Sequence, residues 1–220
     1  MIIQIFLLSS AGLKVYYTVK GGAKKMRKLL ITGFDPFGKY IINPSWQAVQ
    51  ALPDKIGDFE LHKLQLLNIY GSEFKKIACA VEQLQPDCLL MLGMNSGSTD
   101  IILDTVAINL RDALIEDNLG KKPWNEPIVT DGPTAYFSTL DVHTQVKKLR
   151  KEKLPVSIGY SSGAYICNEV FYLSLHNYQN TKMKIGFVHV PLMPEMVWDE
   201  SMSRPLEETA AILQKIIEAI

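Results

Sequence analysis

Cysteine is scarce in this chain. There are three among 220 residues, an odd number that excludes a disulfide framework and reads as a protein kept reduced in the cytoplasm. Neither sign of charge is in excess. Lys+Arg and Asp+Glu both number 23, so nothing electrostatic points to nucleic acid or to an anionic membrane surface. No apolar run reaches the ~20 residues of a membrane span. The stretch Ile2–Leu8 has no Lys or Arg before it, as a secretory signal requires, and Lys14 and Lys20 break the segment beyond it. Residues 1–25 are read as an extension ahead of a natural start at Met26, with a cleaved or weak signal as the alternative. The sequence has no GxxxxGK[ST] or GxGxxG phosphate loop and no CxxC or HExxH pattern, so no dedicated metal site is expected.

The chain is 47% hydrophobic and long enough for one full core. From Arg27 onward, short apolar runs alternate with amphipathic ones. Strands are expected at Lys28–Gly33, Glu60–Leu66, Cys88–Leu92, Ile101–Leu110, Val156–Tyr160 and Ile185–Val190. Helices are expected at Pro44–Leu52, Gly71–Leu84, Thr139–Lys151, Ala164–Tyr178 and Arg204–Ile220. Pro123–Gly132, rich in turn residues, reads as a surface loop or hairpin. This alternation predicts a single α/β domain over residues 26–220, a mostly parallel or mixed sheet covered by helices on both faces.

Sheets of this kind carry their sites at the carboxyl ends of strands. Cys79, inside an amphipathic helix, and Cys88, opening a buried strand, both read as small core residues. Cys167 comes after Ser161-Ser162-Gly163 at a helix start, where free N–H groups and the helix dipole favour a thiolate. On position alone, nucleophile and core residue are both open for it. A cysteine nucleophile needs a base. His176 lies nine residues farther along the same helix, about 13 Å away, and is too distant. His62 sits mid-strand and His143 in the first turn of a helix. His189 ends an apolar strand at the expected edge, and is either the base or a satisfied core histidine. Asp104 shares an alternating face with Ile102, Val106 and Ile108. Such a carboxylate must find a partner: His189 in a triad, or a basic residue in a structural ion pair.

The order and spacing of several segments carry a resemblance. They are Gly33-Phe34-Asp35-Pro36-Phe37-Gly38, Asn43-Pro44-Ser45, Val106-Ala107-Ile108-Asn109, Asp131-Gly132-Pro133, Gly163-Ala164-Tyr165-Ile166-Cys167-Asn168, and Gly186-Phe187-Val188-His189-Val190-Pro191. From Arg27 to about Glu195 the chain resembles the pyroglutamyl peptidase I (pyrrolidone carboxyl peptidase) family. The resemblance implies a three-layer α/β/α sandwich and a cytoplasmic cysteine peptidase, commonly a homotetramer. Such an enzyme removes N-terminal pyroglutamyl residues from peptides through a thioester, with no cofactor or metal. It places the nucleophile at Cys167, the base at His189, and an aromatic substrate pocket at Phe34, Phe37 and Tyr165. It also exposes three departures. Asp104 stands where the family has Glu, Met94 where it has Gln, and Ser98 where it has an Arg near the oxyanion. Asp104→Glu is expected to preserve or raise activity by restoring the family's reach; if the site has re-adapted around the shorter side chain, the longer Glu would instead clash and lower the rate. Two other readings go with these departures: a cysteine amidohydrolase of altered specificity, or a catalytically impaired homologue that binds blocked peptides.

Overall fold

In the computed structural model, which describes residues 25–220, Arg27–Phe34 forms strand β1. Its buried residues alternate between two apolar layers: Leu29 and Ile31 pack into one, Leu30 and Phe34 into the other. A strand apolar on both sides must be covered on both sides. On the first side lie α1 (Pro44–Ala51), α3 (Val142–Lys151) and α5 (Leu206–Glu218), which contribute Val49, Val146 and Leu213. On the second lie α2 (Glu73–Leu84) and α4 (Ile166–Tyr178), with Ile77, Val81, Val170 and Phe171.

The remaining strands are β2 (Lys55–Ile56), β3 (Phe59–Leu66), β4 (Cys88–Met94), β5 (Ile101–Asp104), β6 (Val106–Ile108), β7 (Ala135–Phe137), β8 (Val156–Gly159) and β9 (Lys184–Val190). The main sheet runs β2, β3, β1, β4, β9, β5, β8, and β6 pairs with β7 in a separate antiparallel ribbon. Strands β3, β1, β4 and β9 are parallel, while β5 is antiparallel to β9 and parallel to β8. This is the α/β/α sandwich with a mixed sheet that the strand–helix alternation predicts.

Two expectations need correction. Ile101–Leu110 is not one strand. The chain breaks at Thr105, whose N–H and Oγ1 both donate to the Gly159 carbonyl, at 2.8 and 2.7 Å. Beyond that break Val106 and Ile108 belong to the β6–β7 ribbon, so only Ile102 shares the sheet with Asp104. Cys79 is exposed rather than in the core. It lies two residues past Ile77, about 200° around the helix from the buried stripe. Cys88 is buried, as expected, and burial pushes its thiol up to about 12, so it stays protonated and inert. The extension read at residues 1–25 lies, except for Lys25, outside the described residues. Among the described residues no helix is long and apolar enough to cross a membrane, and no group of three His, Cys, Asp or Glu is placed to hold a metal.

Candidate active site

The reversal of direction between β9 and β5 builds the site. In a parallel pair, the ends of the two strands would lie side by side. Here the antiparallel register sets Asp104, the last residue of β5, against Phe187, and Ile102 against His189. Side chains two residues apart share a face. Asp104 and His189 therefore meet diagonally on the face that α4 covers, at the carboxyl ends of β5 and β9. The His189 Nδ1 lies 2.7 Å from Asp104 Oδ2, and both groups are buried. A carboxylate can only accept, so Nδ1 carries the proton, and Nε2 is left for a second partner.

That partner is Cys167. It is the second residue of α4, in the first turn, where backbone N–H groups have no intrahelical acceptor. The half-buried thiol lies against Gly93, the residue opposite His189 on the next strand, and its charge favours the protonated His189 ring. Burial by itself disfavours the imidazolium. The Asp104 and Cys167 contacts outweigh it and hold the ring's pKa up to about 10. Room for the sulfur comes from Gly93, which pairs with His189 across β4 and β9. A methyl group there would stand 2.8 Å from Sγ and 2.9 Å from the Phe187 ring. Phe187 in turn packs on His189, with ring centroids 4.9 Å apart.

The start of α4 is fixed by its neighbours. Asn168, fully buried, accepts from Ile108 N–H and donates to the Ile108 and Leu110 carbonyls. Glu169 accepts from Gly71 N–H at 3.0 Å and pairs with Arg111. These bonds leave the helix that carries Cys167 little freedom to shift.

The three aromatic residues read as a pocket are not equivalent. Phe37 and Tyr165 stand together, with centroids 5.9 Å apart. The Tyr165 hydroxyl donates to the Glu116 carbonyl at 3.0 Å. Phe34 is 1% exposed and packs inside the core cluster against which Tyr165 rests. Phe37 and Met94 also wall a cleft of about 860 Å³, completed by Tyr40, Leu114, Ile115 and Asp117. Ser98 is occupied elsewhere: its Oγ accepts from Asp100 N–H at 3.0 Å in a local turn.

Several residues of the site escape a reading of the sequence. Ser162, buried, donates to Asp104 Oδ2 at 2.8 Å, so that oxygen takes two donors. Asp104 Oδ1 is buried without a partner among the described residues and rests against Gly159, where a Cβ would overlap it. The Ser-Ser-Gly turn and the glycine closing β4 stand out as punctuation, but their role is set by contacts across the fold.

A cysteine at a helix N-terminus, a buried imidazole and an orienting carboxylate together form the apparatus of a cysteine hydrolase. The chain belongs to the pyroglutamyl peptidase family, a family of cysteine peptidases: the family model for pyroglutamyl peptidase matches residues 27–220. It is 40% identical over 173 residues to a pyrrolidone-carboxylate peptidase of Bacillus cereus, covering 77% of this chain and 80% of that one. It is 39% identical over 196 residues to one of Enterococcus faecalis, covering 87% and 92%. Among solved structures, the pyrrolidone carboxyl peptidase of Thermococcus litoralis superposes with a TM-score of 0.83 at 32% identity, covering 88% of this chain and 93% of that one. Pyroglutamyl peptidase I of Bacillus amyloliquefaciens gives 0.80 at 32%, covering 88% and 96%.

Proposed function

We propose that this chain hydrolyses the amide bond after an N-terminal pyroglutamyl residue, with Cys167 as nucleophile, His189 as general base and acid, and Asp104 as the group that orients the imidazole. The observation that carries the reading is the buried Asp104–His189 hydrogen bond beside Gly93, against which the Cys167 sulfur sits at the start of α4. Cys167 Sγ attacks the carbonyl carbon while its proton is held on Nε2 of His189, whose raised pKa keeps the ring protonated. The oxyanion that forms is held by N–H groups of the first turn of α4. The C–N bond then breaks, the leaving amine takes the proton from His189, and a thioester remains. Water attacks the thioester, giving its proton to His189. Release of pyroglutamate restores the thiolate beside the protonated ring. No step requires a cofactor.

Selectivity arises from desolvation. Phe37 and Tyr165 offer apolar ring faces to a flat, uncharged lactam, with Phe34 packed behind in the core. An ordinary N-terminus would bring an ammonium group into the same place, and removing its water is costly. The reading extends to a cytoplasmic homotetramer, supported by the large apolar side chains of Ile41, Leu114 and Trp198 left exposed on the single chain.

Chromogenic amides of pyroglutamate, proline and glutamine test the assignment. The pyroglutamyl amide is expected to be cleaved at least ~100-fold faster than the other two, by kcat/KM. Equal cleavage of the prolyl amide would show that the pocket does not select the lactam. Cleavage of none would favour the blocked-peptide binder.

A further inference from the structure

Met94 has no donor, and the Ser98 hydroxyl is committed to its own turn. A lactam nevertheless carries a carbonyl oxygen that must be matched when it leaves water. One side chain packed against Tyr165 has an uncommitted donor. Tyr70 is 5% exposed, and its hydroxyl is buried with no hydrogen-bond partner among the described residues. Buried hydroxyls are seldom left so, because an unmet donor destabilises the fold. Packing alone has no need of this group: a phenyl ring would fill the same space.

The position of Tyr70 is fixed from two sides. Its own N–H donates to Asp117 Oδ2 at 2.9 Å, and the next N–H, of Gly71, donates to Glu169, two residues past Cys167 on α4. Its ring meets Tyr165 edge to face, with centroids 5.3 Å apart. Burial, chiefly, raises the phenol above the ordinary tyrosine range, so it remains a donor throughout the working range of a thiol enzyme.

Resting on the function proposed above, we infer that Tyr70 is a substrate-binding residue, its hydroxyl donating a hydrogen bond to the lactam carbonyl of the pyroglutamyl ring. Binding supplies the partner that the free protein withholds. The hydroxyl is thus kept at the expense of stability for the sake of recognition, and its removal should separate the two properties.

Tyr70→Phe makes the separation measurable. On a chromogenic pyroglutamyl amide, kcat/KM should fall about tenfold, mostly through KM, because the contact exists in the ground state. The Tm of the variant should be no lower than that of the wild type, since the unmet donor is gone. Tyr70→Leu, which also removes the ring, should lower both. A Tyr70→Phe enzyme with wild-type kcat/KM overturns the inference alone, as does one whose activity loss tracks a fall in Tm. A wild type that cleaves no pyroglutamyl amide overturns the function and the inference together.

Discussion

Asp104→Ala is expected to lower kcat on a pyroglutamyl amide by about 10³–10⁴-fold while the chain still folds. Among the described residues the carboxylate is the one group that holds His189 by Nδ1, and without it the ring is free to take the wrong tautomer or turn away. The pH profile should move as well. Burial pulls the imidazole's pKa down, and the bond to Asp104 is the first of the contacts that raise it. Removing that bond lets burial count for more, so the alkaline limb of the rate profile should shift to lower pH. Asp104→Glu is the sharper variant. Reach alone would favour it, but the space around the carboxylate is taken. Oδ2 already receives Ser162 and His189, and Oδ1 rests against Gly159. A packed site resists an added methylene by about 1–3 kcal/mol. Activity should therefore fall by about 10–100-fold, reversing the expectation from the sequence. Wild-type rates in Asp104→Ala would make Asp104 a structural residue. Wild-type rates in Asp104→Glu would show that the site has not adapted to the shorter side chain.

Gly93→Ala should produce the second large loss. The added methyl would stand 2.8 Å from Cys167 Sγ and 2.9 Å from the Phe187 ring, both inside van der Waals contact. Either the sulfur moves by about 1 Å or Phe187 does, and a shift of that size in a reacting group costs about 100-fold. Phe187 packs on His189, so displacing the ring also disturbs the base. The expected signature is a fall in kcat of about 100-fold, with a loss of stability of about 1–3 kcal/mol. A variant within about twofold of the wild-type rate would mean that the sulfur does not occupy this space in the working enzyme.

The legible and the illegible parts of the sequence differ for one physical reason, the range of the contacts involved. Helix starts, apolar strands and the alternation of Leu29, Leu30 and Ile31 between two layers are local features, written in neighbouring residues. So is the placement of Cys167 behind Ser-Ser-Gly. The exposure of Cys79 is local too, since its angle from Ile77 turns it away from the core. The break at Thr105 is not, because the carbonyl that bends the chain there belongs to Gly159. Ser162 is a turn residue until its partner, 58 positions away, is known. The void at Gly93 exists only because Cys167 and Phe187 arrive from other elements. Strand-end logic places the site at the carboxyl ends of strands, where Gly93, Asp104 and His189 stand, but does not reveal the reversal of β5 that brings Asp104 to His189.

The central claim is that one thiol, Cys167, performs the hydrolysis. Its most direct test is the steady-state release of amine from a chromogenic pyroglutamyl amide by the wild type and Cys167→Ala, side by side at equal concentration. Steady turnover is expected of the wild type and a fall of at least about 10⁴-fold in the variant, with an unchanged fold. A Cys167→Ala protein that still turns the amide over near the wild-type rate would contradict it.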